Sequence, residues 1–381
     1  MRIALLLLLS GFLSPCVPTA VASQPPAESA PPPPLPIDPV ILEGWRAVGG
    51  KVTFAEAYAP PDVPEEENAA ILYEEAFAKI NELPDDYNDY TGTPEIIDLL
   101  TRAAQKPKCR WSVDPGLPAV DVNLWWFNSK FLTATRKAVR ILGHHADEAL
   151  AQGNEEFAIR NLDASLALAH QLQSTPMALP LLVGVAIEDT SLQRIEEVLS
   201  NSPDADASLI RVRLAGGEGC VDVDQIMLCE TALCLNILYG GRPYPPENEF
   251  KPFDPDLVLV KMTDAVTDFR QPFHTVDWSR YPDGANPKYG STLTGMIAKL
   301  ATVTAKRDAE LRIARAAFDL RDIKARTGSY PDASTWAPPI NPFTGSPMTY
   351  VREGEGFTLT AQPPDSVGIG ESQIPAWHWP R

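Results

Sequence analysis

The chain has 381 residues, of which 44% are hydrophobic and 22% are charged, and these proportions are typical of a folded protein with a large core. The 50 acidic residues outnumber the 32 basic ones, which gives a formal net charge of −18 at pH 7. Phosphate backbones and anionic lipid surfaces repel such an acidic chain, so we expect no nucleic-acid partner.

The N-terminal segment, residues 1–22, has the pattern of a secretory signal peptide. Arg2 provides a positive charge, Ile3–Leu9 begin an apolar run, and Ala20-Val21-Ala22 forms an A-x-A cleavage site. This pattern favours cleavage after Ala22 and export to the periplasm or the cell exterior. A lipid anchor on Cys16 is the alternative, because this cysteine ends a segment with the spacing of a lipobox. The apolar run is short for a membrane span, so we expect no transmembrane segment in the mature chain.

Proline content and apolar periodicity divide the rest of the chain. Residues 23–45 are rich in proline and predict an extended linker. We then expect an α-helical domain over residues 46–290, a long helix with a small β module over residues 291–361, and an irregular tail over residues 362–381.

Apolar residues recur at helical spacing along most of the chain. The predicted helices are Asn68–Ile80, Pro94–Ala104, Leu124–Gln152, Glu155–Gln173, Leu179–Leu199, Asp222–Tyr239, Leu257–Phe269 and Thr294–Lys324. Two alternating runs, Met348–Val351 and Phe357–Thr360, predict strands joined by the hairpin loop Arg352–Gly356. The fold class is therefore mainly α: an irregular helical bundle or stack of helix pairs with a small C-terminal helix-plus-β-hairpin module. The stretch Gly153–Ala169 resembles one tetratricopeptide unit, and no second copy follows at a period of about 34 residues.

Four cysteines remain after removal of the leader, an even number that allows two disulfides in an oxidising compartment. They are Cys109, Cys220, Cys229 and Cys234. Cys229 and Cys234 lie on one predicted helix and face different directions, so a bond between them is disfavoured. We therefore expect Cys109 to pair with one of the later three, and buried free thiols are the alternative.

Two glutamates, Glu188 and Glu230, fall on the apolar faces of predicted helices. Glu188 is in register with Leu192, and Glu230 is in register with Met227. A carboxylate on an apolar face is costly unless it is paired, so we expect each to form a structural ion pair. The candidate partners are Arg136, Arg160, Arg211 and Arg213. Glu188 and Glu230 are also the candidate catalytic carboxylates if the chain is an enzyme.

Histidines and aromatic residues supply few other candidates for a site. His144 and His145 are adjacent on a helix and point about 100° apart, so we predict no metal site there. The proline- and aromatic-rich segment 240–286 could border a groove lined by His274, Trp278 and Tyr281. The sequence lacks a G-x-S-x-G elbow, an H-E-x-x-H motif and a P-loop, and it predicts no cofactor.

The segment 306–361 carries a characteristic set of turn and aromatic residues. Gly328-Ser329-Tyr330-Pro331 follows the long helix, a turn runs from Asn341 to Pro347, and Tyr350 and Gly356-Phe357 occupy the two strands. With these motifs the segment resembles the globular part of the type II secretion major pseudopilins. The resemblance implies that Tyr330 and Pro331 close the exit of the helix and that the aromatic side chains fill the interface between sheet and helix.

The segment also departs from the pseudopilin pattern. The prepilin assembly helix does not precede it, and Asn341 stands where that family usually has an aspartate. The acidic calcium loop of the family is reduced to Asp365 and Glu371, so calcium binding by the tail is a hypothesis only. We expect no role as a pilus subunit.

The remainder of the chain resembles exported helical bacterial proteins without an assigned activity. We expect an exported, non-enzymatic envelope protein whose helices form a scaffold for protein partners. The alternative is a carboxylate-based hydrolase with a cleft near residues 240–286.

Overall fold

A computed structural model describes residues 37–58, 62–84, 94–113, 129–202, 205–217, 221–239, 255–277, 280, 291–364 and 374–379. Within these residues the chain forms eleven α-helices and three β-strands, so the prediction of a mainly α fold with a small C-terminal β module is confirmed. The helices are α1 (Pro39–Ala47), α2 (Phe54–Ala57), α3 (Ala69–Glu82), α4 (Pro94–Ala104), α5 (Ser129–Ala151), α6 (Glu155–Gln173), α7 (Ala178–Asn201), α8 (Ser208–Gly216), α9 (Val223–Tyr239), α10 (Pro255–Phe269) and α11 (Ser291–Thr327). The strands are β1 (Thr349–Glu353), β2 (Gly356–Thr360) and β3 (Ala376–Trp379).

Helix α6 lies at the centre of the helical body, where it contacts α4, α5, α7 and α8. Its start is set by the sequence Gly153-Asn154. Gly153 adopts a φ of +72°, and the Asn154 side chain accepts a hydrogen bond from the Phe157 amide at 3.2 Å. This is the N-cap that asparagine provides, and it turns the chain from α5 back along α6.

Short proline-flanked α1 begins inside the predicted linker, so the prediction of an extended chain is wrong for residues 39–45. Asp38 caps α1 by accepting a hydrogen bond from the Val40 amide at 2.7 Å, and Pro39 occupies the first turn. Trp45 is fully buried and its indole nitrogen donates to the Lys51 carbonyl at 3.0 Å. Trp45 therefore packs this segment against the body, in a core shared with α9 and α10.

The long helix α11 joins the helical body to the β module. It ends where the sequence predicts, because Gly328 takes a φ of +82° and donates its amide to the Lys324 carbonyl at 2.8 Å. One core contains side chains from α6, α7, α8, α11 and all three strands, including Leu166, Ile195, Phe318 and Phe357. The body and the module are thus packed around shared apolar residues.

The strands form an antiparallel sheet in the order β1-β2-β3. The predicted hairpin forms with a tighter turn than expected, and Gly354 makes that turn with a φ of +60°. Strand β3 corrects the prediction of an irregular tail after residue 362. Trp377 and Trp379 alternate with exposed or half-buried neighbours, and both indoles are buried. Two tryptophans two residues apart point to the same face of a strand. This spacing indicates a strand, but the proline-rich sequence around it favoured an irregular tail.

None of the described helices has both the length and the apolar character needed to cross a bilayer.

Candidate functional site

Three helices of the body meet around one buried carboxylate. Helix α6 contributes His170 and Gln173, which lie three residues apart and therefore on the same face of its last turn. Helix α7 contributes Glu188 and α11 contributes Arg307. We call these four residues the Glu188 cluster.

Hydrogen-bond donors surround both oxygens of Glu188. The His170 Nε2 lies 2.7 Å from Oε1, the Gln173 amide nitrogen donates to Oε2 at 2.9 Å, and the Arg307 Nε donates to Oε2 at 2.8 Å. The side chain of Glu188 is 1% exposed, and that of Arg307 is 5% exposed. An ionised carboxylate only accepts hydrogen bonds, so the ring nitrogen of His170 that faces it carries the proton.

The charge state of Glu188 follows from these contacts. Burial by itself raises the pKa of this carboxyl, but the hydrogen bond from His170, the charge of Arg307 and the hydrogen bond from Gln173 outweigh burial and lower the pKa. Glu188 is therefore a charged, hydrogen-bonded group in a buried contact between helices. A carboxylate that is this saturated has no oxygen left to receive a proton from a substrate.

A glycine at the end of α8 closes the cluster. The carbonyl of Gly217 accepts a hydrogen bond from Arg307 Nη2 at 2.8 Å. A Cβ atom at position 217 would lie 2.5 Å from Cε1 of the His170 ring, so the absence of a side chain lets the backbone approach the imidazole. Arg307 thereby joins the end of α8 to α7 and α6.

Three further charged groups extend the cluster along α7 and α11. Lys306 Nζ lies 2.6 Å from Glu310 Oε1 and 3.8 Å from Asp189 Oδ2. Burial raises the pKa of Glu310 to about 7, and the negative charge of Asp189 adds to this while Lys306 opposes it. Burial lowers the pKa of Lys306, but the neighbouring Glu310 and Asp189 carboxylates outweigh that effect and leave it raised.

Glu230, the second candidate carboxylate, lies elsewhere. It accepts a hydrogen bond from the Ala178 amide at 2.7 Å, at the first turn of α7. Ala178 and Glu188 are ten residues apart on one helix, which places them roughly 15 Å apart along its axis. Burial raises the pKa of Glu230, and the hydrogen bond from Ala178 offsets only part of that rise. The two candidate glutamates therefore do not share a site.

Three of the four arginines predicted as partners pair with other carboxylates, and Arg136 is exposed. Arg213 forms two hydrogen bonds with Asp163 at 2.8 and 3.0 Å, Arg160 pairs with Glu156, and Arg211 pairs with Asp322. The prediction of these partners for Glu188 is therefore wrong, and Arg307 takes that place. A signal for Arg307 was present, because it falls at helical spacing between Leu300 and Leu311, on the buried face of α11.

The histidine candidates do not gather into a site. His144 and His145 both approach Glu148, at 3.3 and 3.4 Å, on the helix that carries them. His274 is exposed, and Trp278 and Tyr281 lie outside the described residues, as do residues 240–254 of this segment. Among the residues that the structure describes, no group of three histidine, cysteine, aspartate or glutamate side chains could hold a metal ion. The proposed calcium ligands Asp365 and Glu371 lie outside the described residues.

Cys109 does not form the expected disulfide. Cys109 and Cys229 are both free thiols, and burial raises the pKa of each well above its ordinary value. Both pack in the apolar core formed with α3, α4 and α5, which is the alternative that the sequence left open. Cys220 and the side chain of Cys234 lie outside the described residues.

A surface groove of 860 Å³ separates α8 from the end of α11 and from β3. Val212 on α8 lines this groove and is 70% exposed. Tyr330 and Trp379 provide buried aromatic surface on the opposite side. We call this the α8–α11 groove.

The α8–α11 groove is lined by charged side chains of both signs. Its lining includes three cations, Arg211, Arg321 and Lys324, and two carboxylates, Asp206 and Asp322. Arg211 pairs with Asp322, and Lys324 pairs with Glu355, so these two cations already have carboxylate partners.

No family model, curated protein or solved structure matches this chain.

Proposed function

We propose that this chain is an exported, non-enzymatic protein of the cell envelope, and that its helical body is a scaffold that binds a protein partner in the α8–α11 groove. The observation that carries the non-enzymatic interpretation is the state of Glu188. This candidate catalytic carboxylate is enclosed by His170, Gln173 and Arg307 and is 1% exposed. Its hydrogen bonds and ion pair hold α6, α7 and α11 together, which is a structural role.

The groove supports the choice of docking surface. Val212 is an aliphatic side chain that is 70% exposed, and it lines the groove together with the largely buried rings of Tyr330 and Trp379. A cluster of apolar and aromatic side chains bordered by charged groups is the usual composition of the centre and rim of a protein interface. The partner that fits is a protein segment with an apolar anchor that contacts Val212 and with polar or charged residues around that anchor.

Site-specific photo-crosslinking tests this proposal. A photoreactive amino acid replaces Val212 in one variant and Val40 in another, since Val40 is 77% exposed and lies on α1, away from the groove lining. We expect one saturable protein adduct at position 212 and none at position 40. The adduct is identified by mass spectrometry and the partner is then purified and titrated against the full chain.

Titration of the purified partner against glutamate variants tests whether the groove is the docking surface. A charge placed at the centre of an apolar contact must be desolvated, so Val212→Glu is expected to weaken binding at least about tenfold, or about 1.4 kcal/mol, while Val40→Glu leaves it unchanged. Equal labelling at both positions, or equal binding by both glutamate variants, would count against the groove as the docking surface.

A carboxylate-based hydrolase near residues 240–286 is the second candidate, and the raised pKa of Glu230 favours it. A carboxyl that stays protonated closer to neutral pH can act as a general acid. If this function is correct, Glu230→Gln abolishes turnover of a hydrolysable substrate while the thermal midpoint of unfolding changes little. Loss of stability in the same variant, with no activity in the parent chain, would assign Glu230 to the capping of α7 instead.

A further inference from the structure

The Glu188 cluster and its extension contain an unequal number of opposite charges. Three carboxylates, Glu188, Asp189 and Glu310, face two cations, Lys306 and Arg307. Each of these five side chains is at most 22% exposed. With all carboxylates ionised and the imidazole neutral, the group carries a net charge of −1 where solvent cannot screen it.

One additional proton makes this group neutral, and two residues could hold it. His170 is one, because its ring contacts Glu188 at 2.7 Å. Glu310 is the other, because the negative charges of Asp189 and Glu188 act on it, and Lys306 opposes them. The surroundings distinguish the two sites: His170 faces Glu188, whose charge Arg307 also opposes, whereas an ionised Glu310 adds a third negative charge to a buried group.

The location of this proton matters because the charged groups join two helices. Lys306 and Arg307 project from α11 and contact Asp189 and Glu188 on α7, and His170 faces the same contact from α6. Helix α11 also carries the β module and one wall of the α8–α11 groove. A change in the charge balance therefore acts directly on the contact between α11 and the helical body.

We propose that these six residues form a proton-sensitive latch between α7 and α11. When Glu310 holds a proton the group is neutral and α11 is bound firmly, and when Glu310 releases it the excess negative charge loosens α11 from α7. This inference goes beyond the proposed function and stands without it.

Linkage gives the direction and size of the expected effect. Glu310 has a pKa of about 7 in the closed structure, above the ordinary value of 4.5 that it regains when α11 opens to solvent. A carboxyl whose pKa is raised on closing stabilises the closed state at low pH, and this contribution is lost as the pH rises through about 7. Between pH 6 and pH 8 the equilibrium constant for opening should rise about tenfold.

Hydrogen exchange on the full chain measures this opening. Amide exchange in peptides covering residues 300–318 is followed by mass spectrometry at pH 6 and pH 8 and corrected for the intrinsic pH dependence of exchange. We expect about a tenfold loss of protection at pH 8. Glu310→Gln removes the titrating group and keeps the shape, so it should reduce the difference to less than about twofold. Glu156→Gln, at an exposed position on α6, is the matched control, and it should retain the difference in protection between pH 6 and pH 8.

A second measurement does not depend on how the variants fold. The carboxyl carbon resonance of Glu310, followed by NMR in the unmodified chain, should titrate with a midpoint near 7. The latch is wrong if this resonance titrates below about pH 5.5, if the unmodified chain shows no change in protection, or if Glu310→Gln retains the tenfold change. The proposal would also be overturned if the pH-dependent difference in protection disappeared in His170→Gln but persisted in Glu310→Gln. The proton would then reside on the imidazole.

Discussion

Glu188 and Arg307 form a buried ion pair with 2.8 Å between Oε2 and Nε, although 119 residues separate them in the chain. The pair fixes the long helix α11 against α7, and through α11 it fixes the position of the β module. Since the carboxylate is also bonded to His170 and Gln173, its burial is compensated by hydrogen bonds on both oxygens. The role of this buried ion pair is therefore structural: it holds α11 against α7.

The close approach of Gly217 to the imidazole gives a matched pair of substitutions. Gly217→Ala places a Cβ 2.5 Å from His170 and should displace the ring from Glu188, at a cost of about 1–3 kcal/mol in the free energy of unfolding. Gly216→Ala places its Cβ where nothing lies within 4 Å and should be neutral or stabilising by up to about 1 kcal/mol. Urea denaturation of the two variants measures the difference. Equal effects would show that the glycine contact is not a constraint on the cluster.

The buried side-chain amide of Asn341 makes two hydrogen bonds, one of which an aspartate could not make. Its oxygen accepts from the Phe343 amide at 2.9 Å, and its nitrogen donates to the Gln362 carbonyl at 2.8 Å. Asn341→Asp sets a carboxylate oxygen against that carbonyl and should cost about 1–3 kcal/mol at neutral pH. The pKa of the new carboxyl should be raised, so the cost falls at pH values low enough to protonate it.

Thermal unfolding of Asn341→Asp across pH 4 to pH 8 checks this prediction, with exposed Asn81→Asp as the control. A loss of stability that is the same at both ends of the pH range would contradict the assigned hydrogen bonds. A loss equal to that of Asn81→Asp would show that position 341 tolerates charge.

The third strand provides a test of the β module. Trp377→Ala removes an indole that is 3% exposed in the shared core and should lower the free energy of unfolding by about 3–5 kcal/mol. His378 is exposed and lies one residue away, and His378→Ala loses one hydrogen bond to Thr358. This substitution should lower the free energy of unfolding by less than about 1 kcal/mol. The backbone amide of position 378 still donates to Glu196 in both variants. Similar small losses in both would mean that β3 contributes little to the core.

The leader can be tested by intact-mass analysis of the protein recovered after expression with the full leader. Cleavage after Ala22 leaves Ser23 as the first residue, and the mass should equal that of residues 23–381. An acylated chain beginning at Cys16 would identify the lipid-anchored alternative. A chain that retains Met1–Ala22 and stays in the cytoplasm would contradict export.

Several features of the fold could be predicted from the sequence because strong local signals determine them. The long periodic helices and the stop of α11 at Gly328 follow from apolar spacing and from glycine in the left-handed region. Helix α1 and strand β3 were missed because each is short and lies in proline-rich sequence, where composition indicated irregular chain. In both cases buried tryptophans, Trp45, Trp377 and Trp379, supply the tertiary contacts that composition does not show.

The candidate site was predicted only in part. The position of Glu188 on an apolar face indicated a buried carboxylate that needs a partner, and the structure places such a partner against it. Its identity depends on which helices meet, and a single sequence does not give the packing of α11 on α7. Gly217 and Gln173 were missed for the same reason, since neither has a local pattern that marks it as a neighbour of Glu188.

A double-mutant cycle on Glu188 and Arg307 tests the central claim, that this pair is a structural tie, most directly. Glu188→Leu and Arg307→Met each leave an unpaired buried charge and should cost about 3–5 kcal/mol in urea denaturation. The double variant removes both charges and should be less destabilised than the sum by about 2 kcal/mol or more. The solvent-accessible pair Asp308 and Arg312 is the control cycle, with an expected coupling of about 0.3–0.5 kcal/mol. A coupling between Glu188 and Arg307 as small as that of the control would contradict the account.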